Sequence, residues 1–250
     1  LDTVNDAYRL LIGNSNGAME KLVFSADAVV VIEGTKGYSY GCAIGSSMTQ
    51  LESLVAEPGS QITIRNGCAP YNGVFVGGEV NNIDIGGSIV IHNIYTANYR
   101  LNVPSVYIGR QRAQYNSDLL LVRGTANINI VSNYYCSVAI GDCGNSGSPQ
   151  MKSLVIERGA HIYAETSRPF VTDKYPDTDI IIGHPGSKEK VINIMVGAVY
   201  NSAKGEYEVP SAVDVNNQTV ITSKNYTGLV SGGGAGGWQT VLNANAYCTV

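Results

Sequence analysis

The sequence predicts an all-β fold, a right-handed parallel β-helix of about five coils of 32 residues with a cap at each end. Three observations predict it: an Ile-Gly pair that recurs at a constant interval, three short apolar runs in every interval, and no helical periodicity sustained over three turns. Strands stacked at a constant period bury alternate side chains in a shared core, which is the arrangement of a solenoid.

The recurring pair is Ile-Gly, with Val-Gly once. Its glycines are each 32 positions apart: Gly13, Gly45, Gly77, Gly109 and Gly141. The isoleucine is expected to point into the core, and the glycine to allow a corner with positive φ or a close stack on its neighbour. The interval lengthens to 42 before Gly183, which indicates an insertion around residues 173–177 or the end of the repeat.

Each unit carries its apolar runs in the same order. In the second unit they are Leu54–Ala56, Gln61–Ile64 and Val74–Val76, with Gly, Pro, Asn or Ser between them. Apolar residues alternate within the runs, so they are predicted to be strands. Leucine-rich repeats have shorter periods and a regular leucine line that is missing here, and an ordinary β-sandwich does not explain a constant period.

The period divides the chain into two predicted regions. Residues 1–183 form the solenoid with an N-terminal cap, in which Asp6–Leu11 is expected to be a short helix. Residues 184–250 form a β-rich C-terminal capping region with a glycine-rich loop at 231–238. Caps are expected because an open end of a solenoid is an exposed sheet edge.

The composition is typical of an extracellular β protein. Charged residues make up only 14 %, while there are 29 glycines and 16 tyrosines. A formal net charge of −4 makes nucleic acid an unfavourable partner, and the absence of an apolar run of about 20 residues argues against membrane insertion. The five cysteines form no CxxC motif and leave at least one thiol free.

The stretch GNSGSP around Ser146 resembles the nucleophile loop of trypsin-like serine proteases. A nucleophilic serine needs an imidazole oriented by a carboxylate. Taking His92, Asp118 and Ser146 in protease order leaves intervals of 26 and 28 residues, too short for the two barrels that separate these groups in such proteases. Ser146 also follows the fifth Ile-Gly pair, so the repeat explains it as a turn.

Two aromatic residues are the candidate ligand-binding residues. Phe75 and Tyr107 each precede an Ile-Gly or Val-Gly pair on successive coils, so their rings are expected to stack on the outer surface about 4.8 Å apart. Sugar rings pack against such a ledge. Arg110 and Arg112, which follow Tyr107, would add a carboxylate-binding edge suited to an acidic polysaccharide. The alternative is that the loop Tyr95–Pro104 covers these aromatics.

Two further groups of charged residues stand out. Glu33, Arg65 and His92 are expected to form an outward column on the second strands, stabilising the sheet. Asp173, Asp177 and Asp179 lie close together, so calcium is a candidate ligand for them, although a solvated acidic loop is the simpler interpretation. No other cofactor or metal is expected.

The segments YGCAIGSS, LESLVAEPGSQITIRNG and NGVFVGG carry a resemblance over residues 11–183. They resemble the glycine-rich right-handed parallel β-helix repeats of secreted and cell-surface proteins of anaerobic gut and cellulolytic bacteria. Some members of that group resemble carbohydrate-binding modules that hold calcium. The resemblance implies an extracellular or cell-surface location and no particular binding residues.

These observations favour a non-catalytic glycan-binding protein or adhesin segment, whose partner is a polysaccharide or a cell-surface glycan. The first alternative is a structural stalk or a phage-type tail fibre or spike, which would form a homo-oligomer. A polysaccharide lyase or hydrolase is less favoured, because such enzymes need aspartates that share one face. Asp84 and Asp118 are the only well-separated aspartates of the coils, and they do not share a strand position.

Overall fold

The structure is a computed structural model of the 250-residue chain. It describes residues 8–14, 19–33, 40–65, 74–92, 106–110, 115–135, 138–142, 150–168, 170–172, 175–178, 180–183, 191–212, 214–223, 229–233, 237–239 and 246–249. Every regular element in these ranges is a β-strand, so the all-β prediction is confirmed for them. Within the same ranges no helix is long and apolar enough to cross a membrane.

The strands are numbered in chain order. They are β1 (Tyr8–Asn14), β2 (Lys21–Phe24), β3 (Val29–Glu33), β4 (Tyr40–Ala56), β5 (Gln61–Arg65), β6 (Val74–Ile85), β7 (Ser88–His92), β8 (Val106–Arg110), β9 (Ser117–Val122), β10 (Asn127–Tyr135), β11 (Val138–Asp142), β12 (Met151–Glu157), β13 (His161–Arg168), β14 (Phe170–Thr172), β15 (Tyr175–Thr178), β16 (Ile180–Gly183), β17 (Val191–Asn201), β18 (Glu206–Glu208), β19 (Thr219–Ser223), β20 (Leu229–Gly233), β21 (Gly237–Gln239) and β22 (Ala246–Thr249).

Most of the described strands form three ladders of parallel pairs; β14 and β15 form a separate antiparallel pair, and β18 and β21 pair antiparallel with β17 and β20. The first ladder runs β2, β4, β6, β9, β12, β17, and the third runs β1, β4, β6, β8, β11, β16, β20. The long strands β4 and β6 belong to both, which joins the two ladders into one 13-stranded sheet in the described part of the chain. The second ladder is a separate 7-stranded sheet in the order β3, β5, β7, β10, β13, β19, β22.

The glycines of the Ile-Gly pairs lie opposite one another along the third ladder. Gly13, Gly45, Gly77, Gly109, Gly141 and Gly183 are consecutive register partners, with φ between +110° and +137°. A Cβ added at any of the first five would lie 1.9–2.3 Å from the carbonyl oxygen of the next glycine. Only glycine tolerates both this φ and this approach, so the constant interval has a steric cause.

The other two ladders do not keep the 32-residue interval. In the second ladder Ile62 pairs with Ile89 and Ile89 lies level with Ile128, intervals of 27 and 39 residues. The connection between β6 and β7 is only Gly86 and Gly87, whereas β9 and β10 are joined by residues 123–126. The period read from the sequence is therefore a property of the glycine ladder, and the connections elsewhere vary in length.

The core lies between the ladders and consists of the alternate apolar side chains. It includes Ile44, Val76, Ile108 and Ile140 of the third ladder, Leu54, Ile83, Leu120 and Leu154 of the first, and Ile62, Ile89, Ile128 and Ile162 of the second, each at most 2 % exposed. Burying each of these side chains contributes about 1.5–3 kcal/mol.

The ladders continue past Gly183, through β17, β19, β20 and β22. The period does not reveal this because residues 202–218 make a long connection between β17 and β19, so that Ile162 pairs with Ile221. The capping role of residues 184–250 and the boundary at 183 stay predictions. At the other end, the helix expected at Asp6–Leu11 is wrong for the described residues 8–11, since they belong to β1, whose backbone pairs with β4.

The long connection begins with a hairpin in which β17 and β18 pair antiparallel. The hairpin covers a second apolar cluster on the outer side of the first ladder, formed by Leu121, Val155 and Ala198, against which Tyr207 packs. Tyr200 lies opposite Tyr207 with ring centroids 5.2 Å apart and remains 55 % exposed.

The glycine ladder can be tested with two alanine variants. Gly109→Ala is expected to lower the free energy of unfolding by more than about 3 kcal/mol, since backbone strain and a clash with Gly141 add together. Gly205→Ala is the matched control: φ there is +70° but nothing lies within 4 Å of the added Cβ, so only about 1–2 kcal/mol is expected. Urea unfolding measures both, and equal losses would contradict the stacking argument.

Candidate binding surface

Phe75 and Tyr107 are register partners, as the repeat predicts. The expectation that Tyr107 is exposed is wrong, because its side chain is only 2 % exposed. All residues of β8 and β11 are buried, including the outward-facing Ala139, so these two strands are covered on both sides. The side chain of Phe75 lies outside the described part of the structure, so its role in binding sugar stays a prediction.

Arg110 does bind a carboxylate, but it is one from its own chain. Its Nη1 donates to Oδ1 and Oδ2 of Asp142 at 3.0 and 2.8 Å, and its Nε donates to the Tyr115 carbonyl oxygen at 2.8 Å. Both side chains are at most 1 % exposed, so the expectation of a surface edge at Arg110 is wrong. Removing one partner of such a buried pair costs about 3–5 kcal/mol, which makes the pair structural. Arg112 lies outside the described residues.

Other sequence predictions fall on parts of the chain that the structure does not describe. Ser146 lies in the range 143–149, and Asp173 and Asp179 are outside the described residues as well. Asp177 is in β15, without a described side chain. In the described ranges no three His, Cys, Asp or Glu side chains come together as a metal site. Calcium binding stays a prediction.

The carboxylates on the outer side of the first ladder have cross-strand partners. Arg123 donates to both oxygens of Asp84 at 2.6 Å, and Lys152 forms an ion pair with Asp118. The hydrogen bond from Lys152 is the main cause that holds the pKa of Asp118 below its usual value. Asp84 is level with Leu121, which confirms that Asp84 and Asp118 do not share a strand position.

Glu157 joins this polar group to the hairpin. Its Oε2 accepts the Gly124 N–H at 2.7 Å, and its carboxylate accepts a hydrogen bond from the Tyr207 hydroxyl. Burial, and then the charge and hydrogen bond of Glu157, raise the pKa of Tyr207 to about 12. The cluster anchors the hairpin on the body of the protein.

The outer side of the second ladder offers a more open polar surface. We call it the polar face and define it by two rows of register partners: Gln61, Ser88, Asn127 and His161 in the first row, and Thr63, Val90, Asn129 and Tyr163 in the second. In the first row Gln61, Asn127 and His161 are exposed, and the second row is half-buried. No member of either row is a Lys, Arg, Asp or Glu.

Tyr163 and Asn129 of the second row, and His92 beside it, give the polar face its chemistry. The Tyr163 hydroxyl donates to Oε2 of Glu165 at 2.9 Å, which fixes the ring. Asn129 lies between Val90 and Tyr163, and its Oδ1 is screened from solvent without a hydrogen-bond partner among the described residues. The Nε2 of His92, at the edge of the face, is also screened from solvent without a hydrogen-bond partner among the described residues.

The charged edge of the polar face matches its prediction. Glu33, Arg65 and His92 are consecutive register partners, and Arg65 forms an ion pair with Glu33. The polar face itself was missed, although alternation along β10 and β13 places Asn127, Asn129 and Tyr163 outward from the buried isoleucines. Tyr107, the aromatic residue next to the glycine ladder, lies on a covered side instead.

No protein-family model matches the chain, and neither a curated protein nor a solved structure matches it.

The raised pKa of Tyr207 gives a pH prediction. The folded state holds the phenol proton more tightly than the unfolded chain, whose tyrosines titrate near 10. The stability contributed by this shift is therefore complete below about pH 10 and lost as the pH rises through about 12. We expect the difference in tyrosinate absorbance between the wild type and Tyr207→Phe to titrate near 12. A difference that titrates near 10 would contradict the buried contact with Glu157.

Proposed function

We propose that the chain is a non-catalytic, extracellular glycan-binding protein built as a right-handed parallel β-helix. The three parallel ladders and the stacked glycines support the β-helix, since they are the pairings that successive coils would make. The composition supports the extracellular location. An adhesin segment that meets a polysaccharide or a cell-surface glycan would use the same chemistry.

The observation that carries this function is the uncharged polar face. Its amide, hydroxyl and imidazole groups can donate to and accept from sugar hydroxyls, and the Tyr163 ring can pack against the apolar side of a pyranose. Neighbouring strands are about 4.8 Å apart, so groups along one row are spaced for an extended ligand that crosses several strands.

The rigidity of the face also favours binding. Its residues alternate with fully buried isoleucines, and each strand pairs with a neighbour on both sides. Side chains held in this way lose little conformational freedom when a ligand binds, which lowers the entropic cost of association.

A structural stalk is the second candidate. It is favoured by the edge strand β3, whose outward Val29 and Val31 are 68 % and 51 % exposed. Exposed valines beside a strand edge that has no partner among the described strands would suit end-to-end assembly.

Two tyrosine variants test the glycan-binding function. Wild type, Tyr163→Ala and Tyr200→Ala would be run by affinity electrophoresis in gels containing glucan, mannan, xylan or polygalacturonate. We expect an uncharged polysaccharide to retard the wild type, and Tyr163→Ala to lose about tenfold in affinity, equivalent to about 1.4 kcal/mol. Tyr200→Ala is the control, because Tyr200 is an exposed tyrosine on the β17–β18 hairpin, away from the polar face.

The other outcomes discriminate between the functions. Loss of binding in Tyr200→Ala alone would show that the glycan-binding site lies on the β17–β18 hairpin and not on the polar face. A folded, oligomeric wild type that no polysaccharide retards would contradict glycan binding and favour the stalk.

A further inference from the structure

We propose that the first row of the polar face binds a neutral, β-1,4-linked polysaccharide whose chain crosses the strands, with one sugar level with each of the four strands β5, β7, β10 and β13. This inference rests on the proposed glycan-binding function. It names the linkage of the ligand, its direction on the protein and the number of sugars that the protein contacts.

The first row is continuous across four neighbouring strands. Gln61 of β5 is level with Ser88 of β7. Ser88 is level with Asn127 of β10, which in turn is level with His161 of β13. Because neighbouring strands are about 4.8 Å apart, the row presents one polar side chain at each step of about that length.

A valine limits the row at each end. Val29 of β3 is level with Gln61, and Val220 of β19 is level with His161. A valine side chain has no hydrogen-bonding group for a sugar hydroxyl. The polar part of the row is therefore long enough for four successive sugars and no more.

The four polar side chains are accessible to a ligand. Gln61, Asn127 and His161 are exposed, and Ser88 is half-buried. None of the four makes a side-chain hydrogen bond to another residue in the described part of the chain. Their donors and acceptors face water, so a ligand can replace that water without breaking a bond within the protein.

The outer side of the first ladder is different, because its polar groups bind one another. Asn81 and Asn82 both donate to Oε1 of Glu52, at 3.0 and 3.1 Å. Asn81 also donates to Oδ2 of Asp118 at 3.2 Å, and Lys152 forms an ion pair with the same carboxylate. A sugar on that side would have to displace these contacts, which favours the second ladder as the binding side.

The strand spacing selects the linkage of the sugar chain. In β-1,4-linked glucose, mannose or xylose, both bonds of each ring to its neighbours are equatorial, so the chain is extended and advances by about one ring per sugar. That advance is close to the strand spacing, so successive sugars can meet successive side chains of the row. An α-1,4-linked glucan has an axial bond at each ring and curls into a helix, which carries its sugars away from the row.

Tyr163 adds an aromatic contact at one end of the chain. It follows His161 by two residues on β13, so the two lie on the same side of the sheet, about 7 Å apart. A sugar level with β13 can accept or donate a hydrogen bond at His161 and pack its apolar side against the Tyr163 ring.

The linkage can be tested with two polymers of the same sugar. Affinity electrophoresis of the wild type would be run in gels containing hydroxyethyl cellulose or xylan, whose backbones are β-1,4-linked, and in gels containing amylose, which is α-1,4-linked. We expect retardation by at least one of the first two polymers and none by amylose.

The number of contacted sugars is tested with competing oligosaccharides. Fragments of two to six sugars from the polymer that retards the wild type would be added to its gel. Their competing strength should rise about fivefold per sugar, the effect of about one hydrogen bond, and level off at four. Gln61→Ala shortens the row by one group, so its plateau should come at three. Asn193→Ala, at an exposed position on β17 in the first ladder, is the control and should keep the plateau at four.

The remaining outcomes separate this inference from the proposed function. If amylose retards the wild type as strongly as the β-1,4-linked polymers do, or six sugars compete no better than two, the chain does not follow the row, while glycan binding stands. An unchanged plateau in Gln61→Ala would also overturn the assignment to the row. If no polysaccharide retards the wild type, the proposed function fails, and this inference fails with it.

Discussion

The close stacking of glycine on glycine along the third ladder is the constraint on which the rest of the structure depends. At each repeat glycine from Gly13 to Gly141, the carbonyl oxygen of the next repeat glycine occupies the space that a Cβ would need. The two strands can therefore pack this closely only in the register that places glycine opposite glycine. That register sets the level of every neighbouring strand. The positive φ at the same residues lets the chain turn its corner after the buried isoleucine. One residue type therefore fixes both the stacking and the bend.

Register then decides which residues from distant parts of the chain meet. It brings Arg110 onto Asp142 inside the protein, Asp84 and Arg123 together on the outer side of the first ladder, and Asn129 beside Tyr163 on the second. The three ladders differ in what covers them. The residues of β8 and β11 are buried on both sides, and the β17–β18 hairpin covers part of the first ladder. The second ladder keeps exposed polar side chains, which is why the binding proposal belongs there.

The sequence predicts the periodic part of this architecture well, because buried alternate residues and stacked glycines both appear in the sequence as regular patterns. The outward column Glu33, Arg65 and His92 follows from the same periodicity. The burial of outward side chains does not follow from the periodicity. Tyr107 is buried by packing on the outer side of its ladder, and no local sequence pattern encodes that packing. The pair Arg110 and Asp142 was open to prediction: opposite charges one 32-residue period apart are register partners. The unpaired atoms of Asn129 and His92 depend on three-dimensional packing and leave no sequence signal.

The most direct test of the account is whether the register that builds the polar face exists in solution. Val90→Cys combined with Asn129→Cys should form a disulfide under mild oxidation, because register partners on adjacent strands have Cα atoms about 4.8 Å apart. Val90→Cys with Val131→Cys, about 8 Å apart, should not. Peptide mapping would separate these bonds from any made by the native cysteines. Cross-linking of the first pair alone is the predicted result; cross-linking of the second pair, or of neither, would contradict the stacking on which the polar face depends.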